Sequence, residues 1–279
     1  MVYTTLVDGV ALAAHLQDPG WVVVDCRHDL VKPEAGAAAY AAGHIPGAVF
    51  LHLDRDLSGP KNGRNGRHPL PAPEILVQRL EAAGISDGTQ VVAYDDCGGM
   101  MAGRLWWLLR WLGHDQVALL DGGLQAWLSG GQPLATDIPR PNPGHLSLAL
   151  RDWVVGVDDV LAGLGFAGRL ILDARAPDRF RGENESIDPA AGHIPGARNR
   201  FFRDNLGPDG RFKPAAQLRQ EWTATLDAFT PAQVVHQCGS GVSACHNLLA
   251  MEIAGLSGSR LYAGSWSEWC ADPGRPVEK

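Results

Sequence analysis

No stretch of this 279-residue chain is long and apolar enough to span a bilayer. Positive charge is not in excess either. Lys and Arg total 24 against 31 Asp and Glu, a formal net charge of -7. That balance offers no basic field for nucleic acid or for an anionic membrane surface. Residues Met1 to Thr5 lack the basic start of a signal peptide, and Asp8, His15 and Asp18 interrupt the next segment, which argues against an export signal. Cysteine is scarce: Cys26, Cys97, Cys238, Cys245 and Cys270, an odd number with no CxxC pair. Such usage supports neither a disulfide framework nor a zinc site, and a reducing, cytoplasmic setting fits it.

The sequence does contain an internal repeat. GHIPGA occurs at 43–48 and again at 192–197. Upstream of each copy an apolar run ends in Asp-x-Arg: Val22–Arg27 and Leu170–Arg175. Downstream, Gln90-Val91-Val92 matches Gln233-Val234-Val235, and Leu120–Trp127 matches Tyr262–Trp269 in outline. Matches kept in one order at a nearly constant offset mark a duplicated domain. Pro133, Pro139, Pro141 and Pro143 form the seam, so a linker is expected near 135–147, between domains at 1–138 and 148–279.

Within each half, short apolar runs alternate with helical patterns. Val22–Asp25 and Val91–Tyr94 read as buried strands. Pro73–Ala83 reads as a helix with proline near its start and Gly84 past its end. Arg104–Leu112, carrying Trp106, Trp107 and Trp111, suits a helix packed on a sheet. The alternation predicts an α/β fold: in each half a mainly parallel sheet flanked by helices on both faces, with ligands at the carboxyl ends of the strands.

Duplication separates scaffold from chemistry. His44 and His193 occur in both GHIPGA copies and read as turn histidines bonded to backbone; Arg27 and Arg175 read as structural ion pairs. The tryptophans at 127, 266 and 269 read as core. One loop has no such duplicate. After the strand Gln233–His236 come Cys238-Gly239-Ser240-Gly241-Val242-Ser243, and a helix is expected from Cys245 to Ile253. A tight loop with two glycines turns backbone N–H groups inward, and the helix start adds positive potential; both stabilise a thiolate at Cys238. A thiolate is a strong nucleophile, and the same donors would hold a persulfide. The corresponding loop of the first half places Asp95 opposite Cys238, and a carboxylate cannot carry sulfur. The first domain is therefore expected to be catalytically silent, with Cys97 non-catalytic and Cys245 a core residue.

These motifs resemble the tandem rhodanese-domain sulfurtransferases over nearly the whole chain. Tyr40-x-x-x-His44-Ile45-Pro46-Gly47-Ala48 and Tyr262–Trp269 are similar to that family's two signatures, although Ala263 stands where the family usually has an acidic residue. The resemblance implies two rhodanese-like domains, the first inactive and the second holding a catalytic cysteine in a six-residue loop. The Cys238–Ser243 loop resembles the CGSGVT loop of 3-mercaptopyruvate sulfurtransferases, with Ser243 for threonine, more than the CRKGVT loop of thiosulfate enzymes. Thiosulfate, a dianion, gains from cations beside the attacked sulfur, and the loop itself offers none. Mercaptopyruvate needs an arginine clamp and a proton donor.

By the same resemblance Arg179 matches the substrate-anion arginine, and Arg181 is a second candidate. A further arginine expected before GHIPGA is missing; Glu185-Ser186-Ile187-Asp188 stands there. Asp54 and His68 match a histidine–aspartate pair that acts with the loop serine, Ser240. The polar stretch Gly59–Arg67 reads as a solvated loop, able to line a site entrance. The activity implied is double displacement. Cys238 takes sulfur from mercaptopyruvate or thiosulfate, and a thiol, reduced thioredoxin or cyanide removes it, without metal or organic cofactor. Gly239, Gly241, Val242 and Ser243 would shape the binding loop. Two rivals remain: a phosphatase, which would need a longer loop closing with arginine where Ser243 and Ala244 stand, and a non-catalytic binding module.

Overall fold

The computed structural model describes residues 2–279, so Met1, at the start of the expected first domain, lies outside the described residues. The chain divides into two compact units. The first holds the residues up to Gly59 with Pro71–Asp152 and Pro208–Arg211; the second holds Pro60–Leu70, Trp153–Gly207 and Phe212–Lys279. Sequence order puts Pro60–Leu70 in the first half, but this segment packs with the second unit and carries His68 with it. No helix among the described residues is long and apolar enough to cross a membrane.

In the first unit the elements run β1 (Leu6–Val7), α1 (Gly9–His15), β2 (Trp21–Asp25), α2 (Ala35–Ala42), β3 (Val49–Phe50), α3 (Pro73–Ala82), β4 (Gln90–Tyr94), α4 (Ala102–Trp111), β5 (Val117–Leu120) and α5 (Gly123–Ser129). The strands lie side by side in the order β1-β5-β4-β2-β3, all parallel. Val22 faces Val91 and Val23 faces Val92, so β-branched side chains fill the centre of the sheet. A parallel sheet needs helices over both faces, and the sequence supplies them. Every residue of α4 except Arg110 is buried. The helix begins two residues earlier than the sequence pattern predicts, because Ala102 and Gly103 already pack. Pro73 occupies the first turn of α3, where its missing N–H costs nothing. The proline-bearing seam folds back on this unit, with Gly144 N–H donating to Glu81 O and Ala149 N–H to Leu112 O.

The second unit runs α6 (Val157–Ala162), β6 (Leu170–Asp173), α7 (Pro177–Phe180), β7 (Arg198–Asn199), α8 (Ala215–Leu226), β8 (Val234–Gln237), α9 (Ser243–Ile253), β9 (Arg260–Leu261) and α10 (Ser265–Trp269). Its parallel order is β7-β6-β8-β9, and a single bridge from Val154 to Leu261 stands where the first unit has β1. Trp266 and Trp269 are fully buried in its core, as Trp127 is in the first unit.

The two repeated motifs prove to be one device. The Arg27 guanidinium grips Asp25, with Nη2 2.6 Å from Oδ2, and donates to Gly43 O at 2.7 Å. Arg175 repeats this on Asp173 at 2.7 Å and on Gly192 O at 2.8 Å. Each arginine thus ties a strand end to the glycine that opens GHIPGA. The histidines sit as expected for turn residues: His44 Nδ1 lies 2.8 Å from Tyr40 O, and His193 Nδ1 lies 2.9 Å from Phe180 O.

Candidate active site

Strand β8 lies inside its sheet, and Cys238 comes directly after its last residue, at the carboxyl edge where parallel sheets bind ligands. The first turn of α10 anchors the loop from below. Cys238 N–H donates to Ser265 Oγ at 3.1 Å, while Cys238 O and Gly239 O accept from Trp266 N–H at 3.0 Å and Ser267 N–H at 2.9 Å. Ser265 adopts φ 55°, a left-handed conformation that costs a non-glycine residue of order 1 kcal/mol. Gly241 has φ 76°, and a Cβ there would meet Ala263 O at 2.2 Å, so only glycine fits. With the loop held this way, Gly241 N–H donates to Cys238 Sγ at 3.1 Å. Val242 leads into α9, which starts at Ser243 rather than at the expected Cys245, bringing its N-terminus closer to the sulfur. Cys245 is core, its thiol donating to Gly241 O at 3.3 Å.

His68 Nδ1 lies 2.7 Å from Ser240 Oγ, and both residues are buried. The expectation of a solvated loop over Gly59–Arg67 therefore holds only in part. The stretch Pro60–Arg64 is exposed, but Arg67 N–H donates to Ser267 Oγ at 3.0 Å and turns the following residue inward. Asp54 belongs to the first unit, where its Oδ2 is 3.7 Å from His28 Nε2. His52 lies nearby with both ring nitrogens engaged: Nδ1 accepts from Asp54 N–H at 3.1 Å and Nε2 donates to Pro33 O at 3.1 Å. That leaves His52 no lone pair for a metal.

The loop itself has no cation, and the fold brings Arg67 and Arg175 to it beside the expected Arg179. A Cβ at Gly239 would stand 2.8 Å from Arg67 Nη2, 3.7 Å from Arg179 Nη1 and 4.0 Å from Arg175 Cδ. Arg179 rises from the short helix α7 and is held by Glu185 at 2.8 Å and by Asp188 at 3.3 Å. Arg67 pairs with the other oxygen of Asp188. Arg175, besides its grip on Asp173, lies 3.6 Å from Glu185 and stacks 4.8 Å over Trp266. Its Nη1 has no hydrogen-bond partner among the described residues. Arg181 sits differently: it is exposed and pairs with Glu183 at 2.7 Å, a solvated surface ion pair rather than a clamp. A cavity of about 790 Å³ adjoins the cluster, lined in part by Lys61, Arg67, Asp188, Ser267, Cys270 and Arg275. Sequence reasoning missed Glu185, Asp188 and Ser265 as neighbours of the loop, and placed Arg67 only in a stretch able to line a site entrance. The only signals for them were the adjacency of Arg67 to His68 and the acidic substitution before the second GHIPGA.

The first unit repeats the loop with different contents. Leu124 N–H donates to Asp95 O at 2.9 Å, as Trp266 N–H does to Cys238 O, which aligns Asp95 with the cysteine. Its carboxylate fills the nest: Oδ1 accepts from Cys97 N–H at 2.9 Å and Gly99 N–H at 2.8 Å, and Oδ2 from Met101 N–H at 2.8 Å and Ala102 N–H at 2.9 Å. Burial, and then the Asp95 charge, push the Cys97 thiol far above its ordinary range, so it holds its proton at neutral pH.

Comparison with known proteins agrees with the duplication. The Rhodanese-like domain model matches residues 10–129 and 157–272. The chain is 51% identical over 269 residues to a Pseudomonas aeruginosa protein named "Probable 3-mercaptopyruvate sulfurtransferase", covering 95% of each chain. It is 34% identical to the thiosulfate sulfurtransferase of Azotobacter vinelandii, covering 98% of this chain and 96% of that one. Among solved structures, SseA from Escherichia coli, described as a 3-mercaptopyruvate sulfotransferase, superposes with a TM-score of 0.82 at 30% identity, over 95% of this chain and 99% of that one.

Proposed function

Because the chain belongs to the rhodanese-like family, with one such domain in each half, we propose that it is a sulfurtransferase working through a persulfide on Cys238, with 3-mercaptopyruvate as donor. The Cys238 thiolate attacks the donor sulfur. The carbon–sulfur bond breaks, its electron pair passes to the pyruvate enolate, and the sulfur stays as Cys238–S–S⁻. The enolate takes a proton and leaves as pyruvate. An acceptor thiolate then attacks the outer sulfur, the sulfur–sulfur bond breaks, and the Cys238 thiolate returns. Reduced thioredoxin, another thiol or cyanide fills the acceptor role in this reading. A reducing, cytoplasmic setting suits a chain whose cysteines are free.

One observation carries the choice of donor: the 2.7 Å hydrogen bond between His68 and Ser240. Loss of sulfite from thiosulfate needs no proton, whereas an enolate does. A buried histidine bonded to the loop serine supplies one. Gly239, Gly241, Val242 and Ser243 supply the backbone that surrounds the sulfur, and Arg179 receives the donor carboxylate. Thiosulfate is the second reading, supported by the nearby guanidiniums of Arg67 and Arg179 and by the name of the Azotobacter relative. The test is mass spectrometry after incubation with mercaptopyruvate. One added sulfur atom on the wild type and none on Cys238→Ala is expected; sulfur on Cys97 would refute the assignment. Comparing kcat/KM for the two donors decides between them.

A further inference from the structure

The charges around Gly239 cancel. Three guanidiniums, Arg67, Arg175 and Arg179, face three carboxylates, Asp173, Glu185 and Asp188, each within 3.6 Å of at least one guanidinium. An anionic donor reaching Cys238 meets arginines that already have partners, so it must displace a carboxylate or add its charge to a neutral, largely buried cluster. The three carboxylates are not equally displaceable. Asp173 holds Arg175 through three side-chain contacts and its N–H. Glu185 accepts Ile187 N–H at 2.9 Å and Asp188 N–H at 3.0 Å. Among the described residues, the Asp188 carboxylate is held by guanidiniums alone, those of Arg67 and Arg179. Asp188 also lines the cavity of about 790 Å³, although its side chain is only 3% exposed.

We propose that Asp188 is a specificity-determining residue: the exchangeable counter-anion of the donor pocket, whose charge turns away dianionic donors. This rests on the reading that the Cys238 loop receives the donor, and it explains how guanidiniums around Gly239 coexist with a preference for a monoanion. The penalty that a fixed negative charge imposes grows with the charge of the incoming ligand, so thiosulfate is penalised about twice as heavily in free energy as mercaptopyruvate. A dianion enters freely only when Asp188 takes up a proton from solvent. The groups facing it are Arg67, Arg175 and Arg179, which oppose protonation, and Glu185, which favours it. Cys270, pushed up to about 11 by burial and then by Asp188, stays neutral at physiological pH. Burial outweighs the arginines and raises Asp188, while Glu185, despite burial, is held low by the Asp188 and Ile187 N–H groups and Arg179. Of these two carboxylates, Asp188 is therefore the more readily protonated.

Sulfate and pyruvate serve as unreactive dianionic and monoanionic probes in isothermal titration calorimetry of the full chain. Asp188→Asn is expected to tighten sulfate binding by about tenfold or more and pyruvate binding by clearly less, and to raise the thiosulfate to mercaptopyruvate ratio of kcat/KM by a similar factor. Equal changes for both probes, or none, would overturn the proposal. Should the variant fold poorly, the wild type alone suffices. Sulfate binding near pH 7 should be accompanied by proton uptake, read as a binding enthalpy that varies with the buffer's ionisation enthalpy, and an enthalpy independent of buffer would equally overturn the proposal. Neither probe requires turnover, so failure of Cys238 to take up sulfur would sink the persulfide reading and leave this test intact.

Discussion

Ser265 Oγ accepts the backbone N–H of Cys238 at 3.1 Å, and its hydroxyl donates in turn to Tyr262 O at 2.9 Å. In the first unit the equivalent position is Gly123, at φ 58°. A serine at such a φ is strained, and what it adds over glycine is this hydroxyl bridge under the cysteine. Ser265→Gly should therefore relieve strain and lose the bridge, whereas Ser265→Ala keeps the strain and loses the bridge. Both should slow sulfur uptake by Cys238, by about tenfold if one hydrogen bond positions the loop. The melting temperature of the glycine variant should be the higher of the two. A pair of variants with unchanged uptake rates would reduce Ser265 to scaffold.

His68→Ala should cut mercaptopyruvate turnover by about 10²–10⁴-fold and spare thiosulfate turnover, since general acid assistance serves only the enolate. Ser240→Ala should reproduce the split. Because His68 is buried, its removal also leaves a small void, so both donors must be compared on protein of known melting temperature. Equal losses for the two donors would make His68 a packing residue.

Arg179→Ala should raise the KM for mercaptopyruvate by roughly ten- to a hundredfold, the worth of one charge-assisted contact of about 1.5–3 kcal/mol. It should also lower stability, because Glu185 is left buried without its bidentate partner. Arg181→Ala, in a solvated pair with Glu183, should leave both KM and melting temperature nearly unchanged. Opposite outcomes for the two arginines would exchange their roles.

A pH-dependent contribution to stability sits away from the site, on α8. Partial burial alone would raise Glu221, but hydrogen bonds from Lys213, Arg200 and Gln217 outweigh it and hold the carboxyl at about 2. A folded-state value below the unfolded one means stability that is present above about pH 4.5 and lost as pH falls toward 2. Glu221→Gln should thus cost about 1 kcal/mol at pH 7, after allowance for solvent screening. The two proteins should converge in stability as denaturation is followed down to pH 2. A constant difference across that range would show that the charge is immaterial.

The repeated motifs were legible because they are local. An Asp-x-Arg at a strand end and a GHIPGA turn can be seen as strings, and the structure shows why they travel together: Arg27 reaches Gly43 O and Arg175 reaches Gly192 O. The valine runs of β2 and β4 were legible because a buried parallel strand has no polar face to disguise it. The charge cluster was not. Arg67 lies 121 positions before Asp188, and nothing in either neighbourhood announces the other. The conformation of Ser265 was equally hidden, because a positive φ at a serine is imposed by its surroundings and not by its side chain. The sequence therefore offered Arg179 as a clamp beside an uncharged loop, where the fold also brings Arg67 and Arg175.

Asp95 can be seen as a ligand that never dissociates. Its four N–H bonds are those a bound anion would make, but the anion is tethered by its own backbone and needs no concentration in solution to occupy its seat. Tethering removes the translational cost of association, so the nest is saturated at every dilution. The first copy of the domain thus behaves as a permanently liganded receptor, whereas the second must wait for each sulfur donor to arrive and depart.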